Sequence, residues 1–76
     1  KISGHTDSQG SQALNLQLSK DRAENIRDYI VLFAGILESR VDWEGLGSSE
    51  PLVKEMTDAD KKINRRVEFQ IYREGG

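Results

Sequence analysis

The sequence predicts a small α+β fold made of a strand, one long helix and two further strands. Three observations point to it. Residues 4–11 are almost all turn formers, so the strand end at residues 1–3 must run into a loop. The next 24 residues hold no proline and one glycine, which suits a single helix. Near the end, Val67, Phe69 and Ile71 alternate with Glu68, Gln70 and Tyr72, the period-two signature of a strand with one buried face.

Each element has its own local logic. Ser11 is a good N-cap, and residues 12–34 form the helix that it opens. Leu16, Ser19, Ala23, Ile26, Ile30 and Phe33 recur at steps of three and four, which places them on one stripe toward a core. Gly35 ends the helix. Residues 40–46 form a second strand with Val41 and Trp43 on one face. Residues 47–62, with Gly47, two serines, the single Pro51 and a charged run from Asp58, read as a long connecting loop. Residues 66–72 are the last strand, and Gly75-Gly76 is the one hint of low complexity.

Composition excludes several functions. The chain has 76 residues, room for one folding unit. Eleven Lys and Arg against 13 Asp and Glu give a net charge of −2, which supplies no field for nucleic acid or an anionic membrane. Lys61, Lys62, Arg65 and Arg66 are offset by Asp58, Asp60 and Glu68 and read as a solvated face at the start of a strand. The longest apolar run, residues 29–37, is nine long, whereas a spanning helix needs about 20, so no direct membrane insertion by this segment is expected. With no Cys and one His, neither a tight metal site nor a cofactor is expected. His5 lacks a held serine nucleophile and takes a structural or rim role.

The turn 5–10 lies between the C-terminal end of a strand and the N-terminal end of a helix, where small ligands often bind in α/β layers. Asn15, Leu18 and Arg22 form a helical stripe beside the core stripe, on the side that looks back to this turn. Asp7 and Arg22 are therefore candidate neighbours around one pocket. The plainer alternative is an Asx turn at Asp7 and an exposed ion pair at Arg22.

Three blocks carry a further signal: Gly4-His5-Thr6-Asp7-x-x-Gly10; Asn15-x-x-Leu18-Ser19-x-x-Arg22-Ala23-x-x-Ile26-x-x-Tyr29; and Gly45-x-Gly47 with Pro51 and Asn64-Arg65-Arg66-Val67-Glu68-Phe69. In order and interval they closely resemble the OmpA-like C-terminal, peptidoglycan-binding domain family, found in outer-membrane porin-type proteins, peptidoglycan-associated lipoproteins and flagellar stator subunits. The resemblance implies a two-layer β-α-β-α-β-β domain with a mixed sheet. The family's last strand lies between its first and second and runs antiparallel to the rest. On this reading residues 1–76 are a partial domain, without the family's first strand and helix.

Carried over residue by residue, the resemblance makes Asp7 the acidic and Arg22 the basic contact for the free amino-acid end of diaminopimelate in the peptidoglycan stem peptide. Asn15 and one of Arg65 or Arg66 resemble further pocket contributors, and Leu18 a wall residue. The function implied is a non-catalytic anchor of an outer-membrane or envelope protein to the cell wall, located in the periplasm. The competing reading is an interaction module that binds a protein partner, or its own copy as a homodimer or by strand exchange, through the last strand's exposed edge. A peptidoglycan hydrolase has no assembled acid, base or metal set behind it.

Overall fold

The computed structural model describes residues 1–72. In chain order the elements are β1 (Ile2–Gly4), α1 (Gln12–Ala34), a 3-10 turn (Glu38–Arg40), β2 (Trp43–Gly45), α2 (Asp58–Asn64) and β3 (Val67–Phe69). The sheet order is β2-β1-β3, with β2 parallel and β3 antiparallel to β1. The architecture is α+β with a mixed sheet, as the sequence predicts, and the antiparallel last strand lies beside the strand that leads into the long helix.

Helix α1 begins where Ser11 accepts a hydrogen bond from Leu14 N–H at 3.1 Å. It ends at Gly35, which turns left-handed at φ 66°, a conformation that glycine adopts at little steric cost. The helix packs over β1 and β2. Its buried stripe is Asn15, Ser19 and Ala23, spaced four apart, and all three side chains are small for a reason. An added Cβ on Gly4 would overlap the Ser19 carbonyl, and one on Gly45 would overlap the Lys20 backbone. Sheet and helix thus meet backbone to backbone. Ser19 adds a polar link, donating to Leu16 O at 2.8 Å and accepting from Gly47 N–H at 2.9 Å.

The expected core stripe is corrected at both ends. Leu16 and Phe33 are 40% and 68% exposed, because contact with the sheet is centred on Ser19 and Ala23 rather than spread along the helix. The fully buried apolar side chains among the described residues are Ile2 and Ala23. The expected buried face of the last strand is also corrected, since Val67 is half-buried and Phe69 and Ile71 are exposed. Helix α1 covers β1 and β2, and what it leaves open beside β3 is an apolar groove of about 430 Å³ whose lining includes Ile2, Ile30, Val41, Phe69 and Ile71.

Two boundaries and one element differ from expectation. Residues 40–46 contain only a three-residue strand, because Arg40 closes the 3-10 turn. Residues 66–72 likewise pair only over Val67–Phe69. The stretch 47–62 is not all loop, since α2 occupies Asp58–Asn64. Its start is a reciprocal capping box in which Thr57 Oγ1 accepts from Asp60 N–H at 3.2 Å and Asp60 Oδ2 accepts from Thr57 N–H at 3.1 Å. Gly75-Gly76 lies outside the described residues.

Candidate functional site

The turn after β1 is buried although it is polar. His5, Thr6 and Asp7 are 2%, 4% and 6% exposed. Backbone bonds seat it, from His5 N–H to Arg66 O at 2.9 Å and from Thr6 N–H to Gly47 O at 2.8 Å. The loop after β2 and the residue before β3 therefore both grip the segment carrying Asp7.

Both carboxylate oxygens of Asp7 are engaged. Oδ1 accepts from Gln9 N–H at 2.9 Å, closing an Asx turn, and Oδ2 lies 3.4 Å from Arg65 Nε. Asn15, one turn into α1, donates from Nδ2 to Asp7 O at 3.3 Å and to Gln9 O at 2.9 Å. Asp7, Asn15 and Arg65 thus come together. Arg66 points elsewhere, bonding Glu68, Asn64 O and Glu50 O. Of the two arginines singled out as alternatives, Arg65 is the one at Asp7.

Arg22 and Leu18 sit on the helical ridge beside the buried stripe, and both are exposed. Arg22 makes no hydrogen bond or ion pair among the described residues, so its guanidinium donors are open to a ligand. Asn15 and Arg22 are two turns apart on α1, roughly 10 Å along its axis. The structure brings an acceptor cluster together at Asp7 and leaves Arg22 as an exposed planar cation further along α1, with no contact joining the two. That suits a small molecule carrying both an ammonium and a carboxylate.

Three residues with no assigned role in the sequence support this turn. Glu55 accepts from Ser8 N–H at 3.2 and 3.1 Å, from Ser8 Oγ at 2.5 Å and from Asn64 Nδ2 at 2.8 Å. The Ser8 and Asn64 bonds hold the Glu55 carboxyl below the ordinary glutamate range. Asn64 is fully buried, accepting from Leu52 N–H at 2.9 Å and Val53 N–H at 3.2 Å and donating to Val53 O at 3.0 Å. No sequence pattern ties Ser8 to a residue 47 positions away. The signal for Asn64 was its place in the third motif block.

His5 is interior rather than at a rim. Neither ring nitrogen has a hydrogen-bond partner, and Nε2 lies 3.7 Å from Glu68 Oε2. Burial, with the Arg66 cation beside it, pushes its pKa down. Among the described residues no group of three or more His, Asp or Glu side chains is placed to hold a metal ion, and no helix is long and apolar enough to cross a membrane.

A mixed sheet under one long helix, with a buried acidic turn at the strand-to-helix junction, defines a small α+β domain. The chain belongs to the OmpA family, whose model matches residues 1–65. Outer membrane porin F of Pseudomonas aeruginosa is 41% identical over 70 residues, covering 92% of this chain and 20% of that protein. Peptidoglycan-binding protein ArfA of Mycobacterium tuberculosis is 37% identical over 70 residues, covering 92% of this chain and 21% of that protein. The crystal structure of the peptidoglycan-associated lipoprotein from Burkholderia pseudomallei superposes with a TM-score of 0.81 at 32% identity, over 87% of this chain and 55% of that one. The chain thus spans about a fifth of the length of these two sequence relatives.

Proposed function

We propose that this chain binds peptidoglycan without catalysing a reaction on it, and that its ligand is the free zwitterionic end of diaminopimelate in the stem peptide. The ammonium sits at the Asp7 carboxylate. The carboxylate is held by Arg22, whose planar guanidinium can bond two oxygens at once. Asn15 keeps the Asp7 turn against the helix, Arg65 orients Oδ2, and Leu18 flanks the aliphatic part of the ligand. Held this way, a larger envelope protein carrying the domain is tethered to the wall from the periplasmic side. Many such domains on one polymer add avidity to a modest single-site affinity.

The observations that support this reading are a buried Asp7 whose carboxylate is oriented by Gln9 N–H and Arg65, and an exposed Arg22 with no ion-pair partner among the described residues. Its support from relatives is the likeness to the mycobacterial peptidoglycan-binding protein and to the peptidoglycan-associated lipoprotein's structure. The test is calorimetric titration with a soluble stem peptide that carries diaminopimelate. Saturable binding that depends on Asp7 is expected, and no binding overturns the reading.

A second reading is favoured by one feature. The outer edge of β3 has no strand beside it among the described residues, and Phe69 within β3 and Ile71 and Tyr72 just after it are exposed. Such an edge is a template for pairing with another chain.

A further inference from the structure

The peptide unit joining Asp7 to Ser8 is held from both of its polar ends. Its carbonyl oxygen accepts from Thr6 Oγ1 at 3.0 Å and from Asn15 Nδ2 at 3.3 Å. Its N–H donates to both oxygens of Glu55. A peptide bond is planar, so fixing the N–H direction also fixes the carbonyl direction. The next N–H, that of Gln9, donates to Asp7 Oδ1. Glu55 also receives Asn64 Nδ2, and Asn64 immediately precedes Arg65, the cation at Asp7 Oδ2. One carboxylate thus touches both chain segments that aim the Asp7 side chain, and does so without touching the pocket's own polar groups.

We infer that Glu55 is a positioning residue for the ligand pocket, setting the plane of the Asp7–Ser8 peptide and through it the direction of the Asp7 carboxylate. The inference rests on Asp7 being the acidic ligand contact. Loop 47–57 then does more than connect β2 to α2, since its far end sets the geometry of the turn that meets the ligand. The charged side chain acting on Glu55 from α2 is Lys61. With Ser8 and Asn64 it keeps the carboxylate ionised into mildly acidic solution.

The test follows Ser8 and Gln9 amide proton shifts by NMR in the wild-type chain and in Glu55→Ala and Glu55→Gln, across pH 3 to 7 spanning the usual glutamate pKa of about 4.3. In wild type the Ser8 amide is expected to titrate with a midpoint below that value. In Glu55→Ala this titration vanishes and the Gln9 amide shifts at neutral pH, while thermal unfolding stays cooperative. Stem-peptide binding weakens on the order of 3- to 30-fold in Glu55→Ala, and Glu55→Gln, which keeps one acceptor oxygen, recovers part of it. A Ser8 titration that is identical in wild type and Glu55→Ala overturns the inference. So does wild-type binding by Glu55→Ala when Asp7→Ala binds poorly. If Asp7→Ala binds as wild type does, the ligand assignment falls instead, and the Ser8 and Gln9 shifts still decide whether Glu55 sets the turn.

Discussion

Arg65 Nε lies 3.4 Å from Asp7 Oδ2, so the acidic group at the centre of the site already faces a cation of its own chain. The Arg65 side chain is 42% exposed and that of Asp7 only 8%. The pair is therefore a buried acceptor met by a half-exposed donor. On the proposed reading, an incoming ammonium would join or displace Arg65 rather than fill an empty acidic pocket, which favours a modest single-site affinity.

The close approach of α1 to the sheet sets the first expectation. Gly4→Ala and Gly45→Ala each drive a Cβ into helix backbone rather than into a movable side chain. Each is expected to cost at least about 1 to 3 kcal/mol, the range for an overpacked core. Denaturant unfolding measures this, and a loss below about 0.5 kcal/mol would contradict the packing described.

Asn64 gives the second. Asn64→Ala strands the Leu52 and Val53 N–H groups and removes a donor from Glu55. An unsatisfied buried group costs about 1 to 3 kcal/mol, so a comparable loss of stability is expected, with the 52–55 segment losing amide protection first. Hydrogen exchange checks the order, and uniform loss across the chain would contradict it.

His5 gives the third. Its folded pKa is lowered by burial and by Arg66, while the unfolded value is about 6.5. Below that value the unfolded chain takes up a proton that the folded chain resists, so stability falls as pH drops from about 6.5 through the folded pKa. The ring proton shifts of His5 are expected to titrate below 6.5. A midpoint at or above it would contradict the burial described.

The open β3 edge gives the fourth. With Ile2 and Ala23 as the fully buried apolar side chains and a groove of about 430 Å³ beside β3, the 76-residue chain alone is expected to self-associate or exchange strands through β3. Sedimentation at about 0.1 mM tests this at a concentration where weak edge pairing is populated. A stable, well-folded monomer would contradict it unless another segment covers the edge.

Much of the fold was legible in the sequence because its signals are local. Ser11 and Gly35 bound α1 as their capping roles require, and alternation at Val67 and Phe69 marks β3. Helix α2 was hidden because it has seven residues, no apolar stripe and a charge-rich sequence. Its readable trace is Thr57-x-x-Asp60, with aspartate where a capping box usually has glutamate or glutamine. At the site, Asp7 and Asn15 were legible from turn chemistry and helical spacing. The choice between Arg65 and Arg66 was not, because adjacent residues entering a strand point to opposite faces and register decides which one faces Asp7. Glu55 was invisible, since its bonds span a separation that no local pattern encodes.

The most direct test of the central claim is calorimetric binding of a diaminopimelate stem peptide to the wild-type protein and its variants. Charge-assisted hydrogen bonds contribute about 1.5 to 3 kcal/mol, so Asp7→Ala and Arg22→Ala are each expected to weaken binding roughly 10- to 150-fold while leaving the fold intact. Arg22→Lys is expected to fail nearly as badly as Ala, because a single ammonium replaces the two-pronged fit. Amidating the diaminopimelate carboxylate is expected to weaken wild type and leave Arg22→Ala almost unchanged. Wild-type affinity in both alanine variants would contradict the claim that Asp7 and Arg22 hold the ligand.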